Sequence, residues 1–449
     1  MYLAYSLLLT VGILLLFPRF LFQALVHGKY IHGFRERLGS IPNINNNGRP
    51  VIWLHCVSVG ETQAARALVN QLRVAFPDSN LVVSTTTLTG QKLARDVFRQ
   101  QVSEVFYFPF DWRWSVRRAL SRVDPTLVLL METELWPNFL RECEHRRIRV
   151  AIVNGRISRT SFQRYRFVRV FLKKVLPALD LALMQSDSDA ERIRELGMAN
   201  NKIAVTGNLK FDSSDMLANN AIRDELESRF DFRSEKPLIV AASTHAPEEQ
   251  VLIESLRILR KHSQVRMLLA PRHPERFQEV ATLLDKSGFS WTRRTSPALE
   301  ADKVSDVVLL DTIGELPATY SFADIVFVGG SIVDKGGHNL LEPASFGACI
   351  VTGAHTHNFR TIVELLKKEE AVVQLPPIED NLVSELSNVL LRLLKDPKTR
   401  DEMGQQARRT VDTNRGATCK TIALIRSLLQ HEDDDQRPET ETTGASATA

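Results

Sequence analysis

The stretch "HCVSVGETQAARALV" (residues 55–69) carries one acid, Glu61, just after a serine–valine–glycine turn. An apolar run, "VIWL" (51–54), leads into that turn. Beyond it Ala65, Leu68, Val69, Leu72 and Phe76 share one face at helical spacing. Glu61 therefore stands between the carboxyl end of a strand and the start of a helix, where a carboxylate is either a cap or an acid–base group. A second acidic turn, Glu132-Thr133-Glu134-Leu135-Trp136-Pro137-Asn138, follows "LVLLM". Two carboxylates directly after a buried strand cost free energy unless they are paired or used. The helix macrodipole is the alternative reason for acids there. "IAVTGNLKFD" brings a cation, Lys210, to a further strand end, where an ordinary surface lysine would also sit.

The second half of the chain holds groups suited to phosphate. In "APRHPERF" Arg272 follows a strand and Pro274 suits the start of a helix. "DTIGELPATY" sets Ile313, Gly314 and Glu315 at a strand-to-helix turn with free backbone N–H groups. "VGGSIVDKGGHNLLEPASFG" has two glycine pairs, Gly329-Gly330 and Gly336-Gly337, then Asn339 and Glu342. Glycine lets the backbone approach a phosphate, and a downstream carboxylate can accept from ribose hydroxyls. Neither G-x-x-x-x-G-K-[ST] nor a strand-linked G-x-G-x-x-G occurs, which disfavours P-loop and dinucleotide enzymes. His355 and His357 come nearest to a metal-ligand pair but have no second cluster, so no metal site is expected.

Short β-branched runs alternating with helical stretches must position these groups. Strands are expected at 51–54, 81–84, 127–131, 150–153, 181–184 and 203–206. After a polar stretch (211–236), read as a linker with some helix, they resume at 238–243, 266–271, 307–311, 325–331, 349–353 and 371–375. Two such series imply an α/β protein with two doubly wound, Rossmann-like parallel sheets, whose ligands bind beyond the carboxyl ends of the strands.

At 449 residues the chain exceeds one ordinary core. Its 44% apolar and 24% charged content is that of a globular protein, and a net charge of +4 says little by itself. Cys56, Cys143, Cys349 and Cys419 are widely spaced, which suits a reducing compartment. Residues 3–17, "LAYSLLLTVGILLLF", are uncharged, and Phe20 to Val26 continue the apolar run. The reading is a membrane anchor or an interfacial helix; a signal peptide lacks its basic n-region, and a buried core helix is a further alternative. Lys29, Arg35 and Arg37 follow it, leaving the rest of the chain on the cytoplasmic side. Between Arg141 and Lys174 eleven Lys or Arg face only Glu142 and Glu144. That stretch is a solvated helix face or a surface for anionic lipid headgroups. Nothing marks a nucleic-acid binder.

"SVGET", "METELWPN", "GNLKFD", "STH-x-x-EE", "PRHPERF", "DTIGEL", "FVGGS" and "GGHNLLEPA", in that order, resemble the Kdo (3-deoxy-D-manno-octulosonic acid) transferases of lipopolysaccharide synthesis, from the N-terminus to about residue 425. The resemblance implies a GT-B glycosyltransferase, two Rossmann-like domains facing a cleft, with an N-terminal membrane helix. It implies transfer of Kdo from CMP-Kdo to lipid IVA, the lipid A precursor, at the cytoplasmic face of the bacterial inner membrane. Carried residue by residue, it makes Glu61 the general base and Glu132 and Lys210 transition-state stabilisers. It places CMP against Pro271, Arg272, Ile313, Gly314, Glu315, Asn339, Leu340, Leu341 and Glu342.

On that reading residues 1–27 are the membrane anchor, 28–212 the acceptor domain, 213–236 a linker, 237–428 the CMP-sugar domain and 429–449 a disordered acidic tail. Donor, acceptor and anionic inner-membrane lipids are the expected partners. An inverting transfer needs a base on the face opposite the leaving group. Arg272, Lys210 and helix N-termini can neutralise departing CMP, so neither a cofactor nor a divalent ion is expected. A GT-B enzyme using a UDP-sugar, and a membrane-tethered scaffold without activity, are the rival readings.

Overall fold

A computed structural model describes residues 1–27, 33–44, 46–214, 220–377 and 381–435. It comprises two compact units, Met1–Ser213 with the segment from Arg415, and Ser214–Asn414. Lys29, residues 215–219 of the expected linker and residues 436–449 of the expected tail lie outside the described residues.

The first unit is built on strands β1 (Val51–Cys56), β2 (Asn80–Thr85), β3 (Glu104–Tyr107), β4 (Leu127–Met131), β5 (Arg149–Gly155), β6 (Leu181–Met184) and β7 (Ile203–Val205). All are parallel, in the order β3-β2-β1-β4-β5-β6-β7. Every residue of β1 and β4 is buried, as befits strands covered on both faces, and this is why they read as unbroken apolar runs. Trp53 anchors one face, its ring centroid 5.2 Å from Phe106 and 5.3 Å from Phe139. Its indole N–H donates to Ser84 Oγ at 2.7 Å, so the polar atom is satisfied inside the core.

The second unit repeats the plan with β8 (Leu238–Thr244), β9 (Arg266–Pro271), β10 (Trp291–Arg293), β11 (Val307–Leu309), β12 (Ile325–Val328), β13 (Cys349–Thr352) and β14 (Val372–Gln374). Their order is β10-β11-β9-β8-β12-β13-β14, again parallel throughout. Strand direction of travel reverses between β1 and β4 in one unit and between β8 and β12 in the other. Those two switch points are where such sheets leave a crevice for ligands.

The polar stretch read as a linker with some helix does include a helix, Asn220–Phe230, whose Leu226 and Phe230 are fully buried. Two features depart from the sequence reading. The expected 237–428 domain ends earlier, because the chain re-enters the first unit at Arg415. Helix Ala417–Asp435 then buries Ala417, Ile422 and Ile425 against Leu68, Val69 and Leu72, and it continues through the start of the expected tail. The Asp212 carboxylate holds that helix's start, accepting from the N–H of Gly416 at 2.8 Å and of Thr418 at 2.5 Å, where negative charge is favoured.

Residues of the expected anchor form a helix, Tyr2–His27, but among the described residues no helix is long and apolar enough to cross a membrane. One side of it docks on the first unit: Tyr5 Oη donates to Asp111 at 2.9 Å, Asn138 Nδ2 to Ser6 Oγ at 3.0 Å and Trp112 Nε1 to Thr10 Oγ1 at 3.1 Å. Leu3, Leu7, Leu8, Leu14 and Leu15 are left exposed on the rest of its surface.

Candidate functional site

Glu61 lies in the turn that leaves β1. Ser58 caps the helix Val59–Ala64, accepting weakly from the Glu61 N–H, and returns its own hydroxyl to Glu61 Oε1 at 2.9 Å. The Val57 N–H donates to Glu61 Oε2 at 2.8 Å. The carboxylate therefore does act as a cap, which fixes its rotamer, while each oxygen keeps a lone pair. Only 7% of the residue is exposed. Burial, then the charge of Glu132, push its pKa up to about 7 against the pull of those two hydrogen bonds. A cap alone gains nothing from a carboxylate that holds its proton so tightly; a base working near neutrality does.

Glu132 leaves β4, the strand across the switch point from β1, in a left-handed conformation (φ 55) that its N–H bond to Val153 O, 3.0 Å, helps to hold. Strain of this kind persists only where surrounding structure enforces it. Burial and Glu132 likewise raise the pKa of Glu134. Lys210 is mostly buried; desolvation lowers its pKa, while Glu132 and Glu61 favour its charged form and Arg156 opposes it. The structure thus brings Glu61, Glu132 and Lys210 into one electrostatic cluster at the strand ends.

The loop carrying Lys210 is tied back by Asn154. Its Oδ1 accepts from the Leu209 N–H at 3.0 Å, and its backbone is left-handed (φ 55) where the β5–β6 register shifts. Nothing in the sequence singled out Asn154, since a bulge leaves no periodic signal. Asp111 was also missed. Fully buried, it accepts from the N–H groups of Asn138 and Phe139 and so seats the helix Pro137–His145 just after the acidic turn; burial lifts its pKa to about 7.

In the second unit the expected nucleotide residues sit at neighbouring strand ends. Pro271 ends β9, and the Arg272 N–H donates to Thr244 O at 3.0 Å, leaving its side chain exposed beside the end of β8. Ile313 is 80% exposed and Gly314 is left-handed (φ 89), so that turn presents backbone to solvent. Glu315 is engaged by Arg294 at 2.9 Å and by Thr312 Oγ1 at 2.8 Å. Asn339 Nδ2 donates to Glu342 Oε1 at 3.1 Å, and Asn339 Oδ1 accepts from the Leu341 N–H. Leu340 and Leu341 are wholly buried, so neither side chain is presented to a ligand.

Glu248, in "STH-x-x-EE", had no role in the sequence reading. It is fully buried and accepts from four backbone N–H groups: His245, Gly330, Ser331 and Ile332. This carboxylate joins the β8 and β12 loops across the switch point. Among the described residues no group of His, Cys, Asp or Glu could hold a metal ion. His355 and His357 instead lie 3.7 and 3.5 Å from Asp334 Oδ1.

A family profile described as 3-deoxy-D-manno-octulosonic-acid transferase (kdotransferase) matches residues 32–213. A 3-deoxy-D-manno-octulosonic acid transferase of Haemophilus influenzae is 34% identical over 90% of this chain and 92% of its own length. One of Bordetella pertussis is 33% identical over 84% and 87%. Among solved structures, the UDP-GlcNAc 2-epimerase of Neisseria meningitidis covers 85% of this chain and 100% of its own at a TM-score of 0.55. At 13% identity that likeness shows the fold alone, two Rossmann-like units of the kind seen in GT-B glycosyltransferases. With relatives this similar over nearly their whole length, the chain belongs to the 3-deoxy-D-manno-octulosonic acid transferase family.

Proposed function

We infer that the protein is an inverting glycosyltransferase that moves Kdo from CMP-Kdo to lipid IVA and releases CMP. The observation that carries this reading is Glu61, a rigidly held, buried carboxylate with a pKa near 7 at the switch point of the first sheet. In the step it supports, an acceptor hydroxyl gives its proton to Glu61 as its oxygen bonds to the anomeric carbon of Kdo. The bond from that carbon to the CMP phosphate breaks with inversion. Lys210 and Glu132 set the field around the reacting centre, and Arg272 offsets the charge left on CMP.

The test is label transfer from CMP-Kdo, generated in situ, to lipid IVA in excess EDTA. Transfer at an undiminished rate is the expected outcome. Loss that magnesium restores would overturn the metal-free step. Stabilisation by UDP and not CMP would point to another donor, and a CMP-binding protein without transfer to another acceptor.

The same reading places the enzyme on the cytoplasmic face of the inner membrane. The exposed leucines of helix Tyr2–His27 support an interfacial rather than a spanning helix. Phe167, 91% exposed, and Val170 protrude where the basic helices Arg159–Phe167 and Arg169–Val175 meet. Apolar side chains flanked by arginines suit anionic headgroups. Reversing Arg164, Arg166 and Arg169 to Glu should cut binding to anionic vesicles by at least about a hundredfold, at about 1 kcal/mol per charge, and raise the acceptor KM. Unchanged vesicle binding would sink this surface.

A further inference from the structure

Three histidines of the second unit come from three loops. His245 follows β8, His273 follows β9 and His338 lies after β12, and these strands are adjacent in the sheet. Nε2 of His245 is 2.8 Å from Nε2 of His338, with the rings parallel to within 2°. His273 stands edge-on to His245, centroids 5.1 Å apart. A hydrogen bond between two ring nitrogens requires opposite tautomers: one imidazole carries its proton on Nε2, and its partner presents a bare Nε2 and a protonated Nδ1.

The fold makes room for this pair. Gly330 is left-handed (φ 65), and a Cβ there would come within 2.9 Å of the His338 ring and 3.4 Å of His245. Glu248 locks the same turn through Gly330, Ser331 and Ile332 and holds the His245 N–H as well. The charged groups around the pair are mostly cationic. Arg272 and His273 face His338; His273, Lys335, Arg276 and Glu249 face His245. Glu249 and Arg276 already pair at 2.6 Å, and Glu248 is spent on backbone N–H groups. Burial first, then these neighbours, keep His338 down at about 3 and lower His245, so both are neutral at physiological pH. A cationic pocket holding two neutral bases gains charge readily once an anion arrives.

We propose that the His245–His338 pair is the proton-accepting part of the nucleotide's phosphate site: when a nucleoside monophosphate dianion binds beside Arg272 and Asn339, the pair takes one proton from solvent and donates an N–H to the phosphate. This rests on reading the second unit as the CMP site. No covalent bond changes; the proton comes from the buffer. The sign follows from linkage. Binding raises the pair's pKa, so between its free and bound values CMP affinity falls by up to tenfold per unit of rising pH, and above the bound value the effect levels off. Measurements above pH 7 keep the phosphate itself a dianion.

Isothermal titration of the full chain with CMP at pH 7.5, in HEPES and in Tris, reads the proton directly, since the two buffers differ in ionisation enthalpy. Wild type should show different heats in the two buffers, corresponding to uptake of up to one proton. His338→Gln and His245→Asn should each lose the buffer dependence and bind CMP about tenfold more weakly, with melting temperatures showing both folded. Cytidine, lacking phosphate, should show no buffer dependence with any of them. Equal heats in both buffers for wild type, or uptake retained by both variants, would overturn the pair's role. Proton uptake without sugar transfer leaves this inference standing and sinks the acceptor reading. A folded wild type that binds no CMP sinks the nucleotide site and this inference together.

Discussion

Glu61→Gln should lower transfer by about 10²–10⁴-fold while leaving CMP binding intact, since general-base catalysis contributes about that much. The substitution keeps shape and one acceptor oxygen, so the hydrogen bond from Ser58 or from Val57 survives and the turn stays folded. Wild-type kcat/KM should rise with pH through about 7 and level off above it, because only the ionised carboxylate accepts a proton and Glu61 ionises there. Glu132→Gln should move that rise to lower pH, for it removes the like charge that, after burial, most disfavours ionisation.

Stability gives an independent readout. A carboxyl whose pKa is raised by folding costs stability as pH climbs from its unfolded to its folded value. Glu61→Gln should therefore be more stable than wild type at pH 8, by about 1–3 kcal/mol, and little changed at pH 5. A mutant that keeps full activity would reduce Glu61 to a cap and shift attention to Glu132 and Glu134. Equal stability at pH 8 would mean that the carboxylate pays no ionisation penalty in the fold.

Much of this site was legible because its carriers are strongly patterned. The buried strands β1, β4, β8 and β12 read as apolar runs because both faces are covered, and Glu61, Glu132 and the glycine pairs stand just past them. What escaped notice lacks periodicity. β3 ("EVFY") and β10 ("WTR") are short edge strands, paired on one side only. The left-handed residues Glu132, Asn154 and Ser243 arise from tertiary constraint, and two of them sit where a register shifts. The return of the chain at Arg415 depends on Asp212, some two hundred residues away, capping a distant helix. Long-range partners of this kind leave no local trace, and the same holds for Glu248.

Glu248→Ala should be the most damaging single change outside the first unit. Removing the carboxylate strands four backbone N–H groups, at 2.8 to 3.0 Å from its oxygens, three of them in fully buried bonds. Each unmet buried donor costs about 1–3 kcal/mol, and even with relaxation the total should reach roughly 3–5 kcal/mol, a large part of a domain's stability. Glu248→Gln discriminates between lost volume and lost acceptors. Oε2 serves His245 and Gly330, and Oε1 serves Ser331 and Ile332, so an amide can satisfy one set only and must point its NH₂ at the other. The isosteric variant should thus lose about 2–4 kcal/mol, with its CMP-dependent rise in melting temperature abolished because the β12 loop no longer holds its shape. A Gln variant with wild-type melting temperature and CMP response would show that the loop is held by its glycine geometry and that the carboxylate is dispensable.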